Sequence, residues 1–438
     1  MKRPIAVLLC VLIPAGVAQD LTQQEILQQL KTLQQQVRQQ QQIIEDLQKQ
    51  LQHQPPVSRQ DVSRMVKEEM DRSVDEKVVA AVKENSLLGL GANSDGLELK
   101  GDLRLRYEHK EGGDSIDQQR FRTRFRLGGV WTNETESWEI GAGLATGETK
   151  AMDGAAGATS TNDTWSKNLA FETGDLYLDY AYATHRWDRT SLTMGQQKNP
   201  FENADYLWDS DVRPAGFTGR FDANGFFATA GFYDVGFAKN TLDDHALMAA
   251  GQVGARYEDE RFDAMLAAAY YHFNDGFADG AAAIVGHPKY TVNPDYDYRI
   301  GDLYGTVGTR VRDVKIGLLG EIWQNFGADG AVGQVKGIDP DGNDLGCVLG
   351  LSLGYGAFKI GYDYVRIEAD SLVAALKDSD FSGALGISDV KGHVLKASYK
   401  VTDHFSLGLE ADLVEHIERD ATADKDLDLY QVDLKYKF

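Results

Sequence analysis

From Leu97 onward, apolar and polar residues alternate with a period of two, the spacing of a β-strand with two unlike faces. Over 97–108, Leu97, Leu99, Leu103, Leu105 and Tyr107 share one face, and Glu98, Lys100, Asp102, Arg104 and Arg106 share the other. Over 120–132, Phe121, Phe125 and Leu127 lie opposite Arg120, Arg122, Arg124 and Arg126. The same alternation predicts strands near 138–147, 174–185, 190–197, 213–222, 226–235, 246–257 and 262–273. Further strands fall near 301–311, 314–325, 347–356, 358–367, 392–401, 405–416 and 427–438, which makes sixteen.

The connections alternate in length. Short ones fall at 133–137, 186–189, 223–225, 258–261, 312–313, 356–357 and 402–404. Long ones fall at 109–119, 148–173, 198–212, 236–245, 274–300, 326–346, 368–391 and 417–426. Eight long and seven short connections between sixteen strands describe an up-and-down barrel with two unlike ends. An apolar outer face around a closed barrel is insoluble in water but required in a bilayer, where closure leaves no unpaired edge. Its other face, rich in Arg, Lys, Asp, Glu and Gly, cannot be a dry core, because unpaired buried charges cost too much. The expected fold is therefore mainly β, a sixteen-stranded antiparallel transmembrane barrel over 97–438 with a wet lumen.

Before Leu97 the period is helical. Between Leu21 and Gln54, Ile26, Leu30, Leu33, Val37, Ile44, Leu47 and Leu51 fall at spacings of four and three, with Gln40 in the vacant position. This heptad seam needs a partner helix, so 19–54 is expected to be an oligomerising coiled coil. Residues that favour dimers and residues that favour higher orders are mixed along the seam, which leaves the order of the oligomer open. Pro55-Pro56 ends that helix, and Ser58 with Asp61 opens a second one, so that 55–96 reads as helix and linker. Residues 1–18 have Lys2 and Arg3, a short apolar stretch and Gly16-Val17-Ala18, the pattern of a cleaved secretory signal.

Composition narrows the class. The chain has 438 residues and formal net charge −22, which becomes −24 once Lys2 and Arg3 are removed. That balance excludes a nucleic-acid binder, which needs a basic footprint. Of two cysteines one lies in the leader, so no intramolecular disulfide framework is available to the mature chain. Tyr430, Val432, Leu434, Tyr436 and Phe438 alternate up to a terminal aromatic, as in a last strand facing lipid that also carries a signal for the outer-membrane assembly machinery.

Gly101-Asp102-Leu103-Arg104-Leu105-Arg106-Tyr107 followed by Arg120-Phe121-Arg122-Thr123-Arg124-Phe125-Arg126-Leu127 resembles the opening hairpin of the bacterial "putative porin" family. Leu144-Ala145-Thr146-Gly147, Tyr177-Leu178-Asp179-Tyr180-Ala181-Tyr182, Gln197-Lys198-Asn199-Pro200-Phe201 and Leu207-Trp208-Asp209-Ser210-Asp211-Val212 extend the similarity. The resemblance covers the barrel and is densest from 101 to 217. It implies a passive diffusion pore for small hydrophilic solutes or ions in the outer membrane of a Gram-negative-type bacterium, a homotrimer with its coiled coil in the periplasm.

For such a pore, Arg104, Arg106, Arg120, Arg122, Arg124 and Arg126 are the candidate basic wall, since rows of fixed charge select permeating ions. The competing expectation is that Glu98, Asp102 and other wall acids neutralise them. Glu202, Asp205, Asp209 and Asp211 in the third long connection are the candidate constriction, expected to fold into the lumen opposite the arginines. Basic wall and acidic mouth pull selectivity in opposite directions.

No catalytic, metal or cofactor site is expected. Gly350-Leu351-Ser352-Leu353-Gly354 fits a nucleophile-elbow spacing but lies within an alternating strand. Asp339–Asp344 reads as an acidic turn, because the twelfth position of a calcium loop would be Gly350. None of the nine histidines has metal-ligand spacing. Two other classes compete with the porin: a structural tether, in which the barrel only anchors the coiled coil, and an outer-membrane hydrolase.

Overall fold

The structure is a computed structural model that describes residues 96–112, 116–133, 135–147, 161–166, 174–237, 245–274, 298–330, 333–335, 337–378, 380–381, 388–418 and 427–438. The leader, the heptad seam from Ile26 to Leu51 and the second helix lie outside the described residues.

Sixteen long strands form the wall. They are β1 Leu97–Gly112, β2 Ile116–Asn133, β3 Trp138–Gly147, β4 Asp175–Trp187, β5 Thr190–Gln196 and β6 Ala215–Ala223. Next come β7 Phe226–Phe237, β8 His245–Glu258, β9 Phe262–Phe273, β10 Arg299–Val311 and β11 Val314–Asn325. The last are β12 Leu345–Tyr355, β13 Phe358–Ile367, β14 Val390–Lys400, β15 Phe405–His416 and β16 Leu427–Lys437. Each pairs antiparallel with its sequence neighbours, and β1 pairs with β16 from Asp102↔Lys437 to Gly112↔Leu427. The sheet is closed. A further two-residue segment, Asp163–Thr164, pairs with Arg122 and Thr123 and fills the wall beyond the end of β3.

The closing seam is tight at the end of the chain. Phe438 exchanges two backbone hydrogen bonds with Gly101, 2.9 and 3.1 Å long, and its ring lies over that glycine. A Cβ at position 101 would come 2.4 Å from the Phe438 ring, so only glycine admits this contact. At the short-turn end, Asn224 and Gly225 both take positive φ, the twist-matched geometry of a two-residue hairpin.

Outward side chains confirm the lipid-type face. Leu103, Leu144, Val253, Leu266, Leu318, Leu349 and Leu409 are exposed along the middle of their strands. Trp187, Phe226, Tyr257, Tyr355, Phe358 and Tyr436 are exposed beside the short turns, and Phe121, Trp165, Phe232, Tyr270, Phe326 and Tyr430 toward the long-loop end. An aliphatic band between two aromatic belts is what a membrane-spanning barrel presents to lipid.

One connection differs from its expected form. The stretch 109–119 is mostly strand: β1 and β2 pair as far as Gly112↔Ile116. His109, Lys110, Glu111 and Asp117 carry no apolar alternation because polar groups suit both faces of this part of the hairpin, so pairing continues without the pattern that marks it elsewhere.

Candidate functional site

All six candidate arginines come from the inner face of the β1–β2 hairpin. Register places Arg104 opposite Arg124 and Arg106 opposite Arg122, pairings of like charge that need intervening anions. Those anions come from several directions. Asp102 binds Arg124 at 2.9 Å and Arg126 at 2.7 Å. Glu108, fully buried, binds Arg120 at 2.6 Å and Arg122 at 3.4 Å. Asp433 on β16 takes Arg106 in a two-pronged contact, 2.7 and 2.9 Å. Glu98 takes no part; it pairs with Lys100 at 2.9 Å.

The connection between β5 and β6 crosses the lumen. Phe201, Tyr206, Leu207 and Trp208 are buried, and Phe201 packs edge-on against the inward rings of Tyr233 and Tyr271. Backbone anchors reach separate parts of the wall: Glu202 N donates to Gln252 on β8 (2.9 Å), and Ala204 N to the Glu321 carboxylate on β11 (3.1 Å). Tyr206 Oη donates to Asp363 on β13 (2.9 Å), and Asp211 accepts from Thr161 (2.9 Å). The four candidate acids then separate. Asp205, Asp209 and Asp211 share a cavity of about 400 Å³ with Arg104, Arg106 and Arg124. Glu202 turns away and binds Arg256 on β8 at 2.6 Å, so it does not face the arginine row as expected.

A second inward connection, described over 368–378, 380–381 and 388–389, has no counterpart in the alternation of the sequence. Leu372, Val373 and Phe381 are buried, and the Phe381 ring meets Tyr206 edge-on with centroids 5.5 Å apart. The two loops are also tied by Asp209 N donating to Leu376 O (2.7 Å) and Asp378 N donating to Asp205 O (3.0 Å). Asp380 reaches back to the arginine wall, 2.7 Å from Arg106 and 4.0 Å from Arg122. The run Ser371-Leu372-Val373-Ala374-Ala375-Leu376 is the legible trace of this loop: six residues with one hydroxyl have no reason to lie in water.

Charge in the loops depends on their packing. Burial, with the carboxylates of Asp378 and Asp211 nearby, pushes the Asp209 carboxyl up to about 8. Burial and Asp380 push Asp378 up to about 7. Burial alone would raise Asp380 as well, but Arg106, Lys110 and Arg122 hold it well below the usual carboxylate range. Asp209 and Asp378 therefore gain negative charge as pH rises, while Asp380 stays ionised throughout. The ratio of cation to anion permeability is expected to rise between about pH 6 and pH 9, read as reversal potential across a KCl gradient. In D209N/D378N the rise should be smaller.

Ser352 lies in the middle of β12, between Gly317 and Gly361 of its neighbours, and not at a strand-to-helix turn. Asp339–Asp344 is a turn held by Asp341 N donating to Asp339 Oδ1 and Asn343 Nδ2 to Asp339 O.

Residues 112–283 match the model of the family described as "Putative porin". That segment runs from the end of β1 through β9; it takes in Arg120–Leu127 and the similar runs that follow, while Gly101–Tyr107 precedes it. Among solved structures, OprB of Pseudomonas putida is similar at a TM-score of 0.49 and 9% identity, over 78% of this chain and 94% of its own. Salmonella typhi OmpF, in complex with daunomycin, is similar at 0.46 and 13%, over 78% and 98%. A loop-deletion mutant of OmpT, an outer-membrane protein of Vibrio cholerae, is similar at 0.45 and 15%, over 78% and 100%. No curated protein matches the chain in sequence.

Proposed function

We propose that the chain is an outer-membrane porin through which small hydrophilic solutes or ions diffuse passively. The observation that carries this is a closed barrel with an apolar outer band and a charged inner face, with open cavities left beside the two connections that fold inward among the described residues. Cavities of about 620 and 520 Å³ are lined by groups such as Lys100, Asp102, Glu139 and Arg220 in the first and Asp263, Lys359, Asp363 and Lys435 in the second. A tether would favour a plugged lumen, and a hydrolase needs a nucleophile, base and orienting acid together; the residues described here support neither as well as they support a channel.

The seam from Ile26 to Leu51 is assigned to periplasmic assembly of a homotrimer after removal of residues 1–18. The alternating edge from Tyr430 to Phe438 is assigned to the outer-membrane assembly machinery. Purified mature protein in planar bilayers should give large stepwise openings that close in groups of three. Absence of openings from a folded barrel would overturn the porin reading and favour the tether.

A further inference from the structure

The cavity between the loops and the arginine row is lined by acids and bases together, Lys396, Lys435, Asp380 and Glu410 among them, and two of its least satisfied groups are of opposite sign. Arg104 differs from its neighbours. Its side chain is 9% exposed; among the described residues its one carboxylate contact is Asp433 at 4.0 Å, and its Nε has no hydrogen-bond partner. An amino group of Arg104 is held instead by the neutral Asn162 side chain. Arg106, Arg120 and Arg126, by contrast, each have a carboxylate oxygen within 2.7 Å. Across the cavity, Asp205 accepts from Ser210 and makes no ion pair among the described residues, and Asp209 accepts from Asp211 N. Lys396, which also lines the cavity, pairs with Asp363 at 3.1 Å.

We propose that this cavity favours zwitterionic solutes of amino-acid size, the carboxylate directed to Arg104 and the ammonium to Asp205 with Asp209 as a second acceptor. The inference rests on the porin reading and adds the class of solute. A simple anion that reaches Arg104 is repelled by the acids opposite, and a simple cation that reaches Asp205 is repelled by the arginine row. Only a solute carrying both charges gains from both walls, and such groups act strongly where low-dielectric walls concentrate the field. A neutral solute of the same size gains from neither.

Alanine and lactamide test this directly, because they are isomers of one formula, the first zwitterionic at neutral pH and the second uncharged. Swelling of liposomes containing the full mature protein should be several-fold faster in L-alanine than in L-lactamide. The ratio should fall to near unity in R104Q and again in D205N, two substitutions on opposite walls that need not share a folding defect. A wild-type ratio at or below unity overturns the inference, as does a high ratio that neither variant lowers. Swelling in neither isomer overturns the porin reading together with it, whereas equal swelling in both removes the zwitterion preference alone.

Discussion

Deleting Glu202–Asp211 is expected to raise single-channel conductance roughly twofold or more, because current through a water-filled pore follows its open cross-section. The barrel should tolerate the loss. Gln196 and Ala215, at the ends of β5 and β6, are already paired neighbours, so the remaining loop residues need only close a hairpin. The wall is held by inter-strand hydrogen bonds that do not involve the loop. What the deletion removes is the span from Gln252 and Glu321 to Asp363, and with it the support for the second loop. Without Asp205 O and Asp209 N, the 368–389 connection loses both backbone ties, so two obstructions are relieved at once. Unchanged conductance in planar bilayers would mean that the narrowest passage lies elsewhere in the barrel.

Replacing Asp433 by alanine should have the largest effect on stability. One carboxylate there serves three cations: Arg106 at 2.7 Å, Lys435 at 3.1 Å and Arg104 at 4.0 Å. The Arg106 and Asp433 side chains are 4% and 6% exposed, so water cannot take the carboxylate's place without rearrangement. Breaking a buried pair by removing one partner typically costs about 3–5 kcal/mol, since the remaining charge is left uncompensated. Asp380 still reaches Arg106 at 2.7 Å, which puts D433A toward the lower end of that range. D433N, which keeps one acceptor in place, should lose less. The measurement is the denaturant midpoint of the detergent-solubilised barrel, with loss of the folded form in unheated electrophoresis as a second readout. A midpoint identical to wild type would mean that lumen water solvates Arg106 as well as the carboxylate does.

Most of the wall was legible in the sequence. Strands 138–147, 262–273, 314–325, 358–367 and 405–416 have the bounds that the alternation predicts. Their pattern is forced from both sides, by lipid that admits only apolar groups and by water that admits charged ones. Where polar groups suit both faces, as at 109–112, the constraint vanishes and so does the signal.

The row of arginines was legible for the same reason. Of its partners, Asp102 was among the acids expected from the sequence and Glu108 lies on the same hairpin, but Asp433 is 327 residues from Arg106 and Asp380 is 274 away. Only closure of the sheet and the folding-in of a loop bring those groups together. The loop acids show the same division. Their presence between Lys198 and Val212 is a matter of sequence, yet Glu202 faces Arg256 while Asp205 faces the arginine row, a choice made by the anchors at Gln252 and Glu321.

By itself, then, the chain's alternation determined a closed sixteen-stranded wall and which side chains line it, because face is set locally by a period of two. Tertiary structure alone decided, among the described residues, which charges neutralise one another, which stay unsatisfied and which connections fold inward. Those outcomes depend on distances of a few ångströms between residues hundreds of positions apart, and Coulomb energies at that range are set by geometry and burial, not by composition.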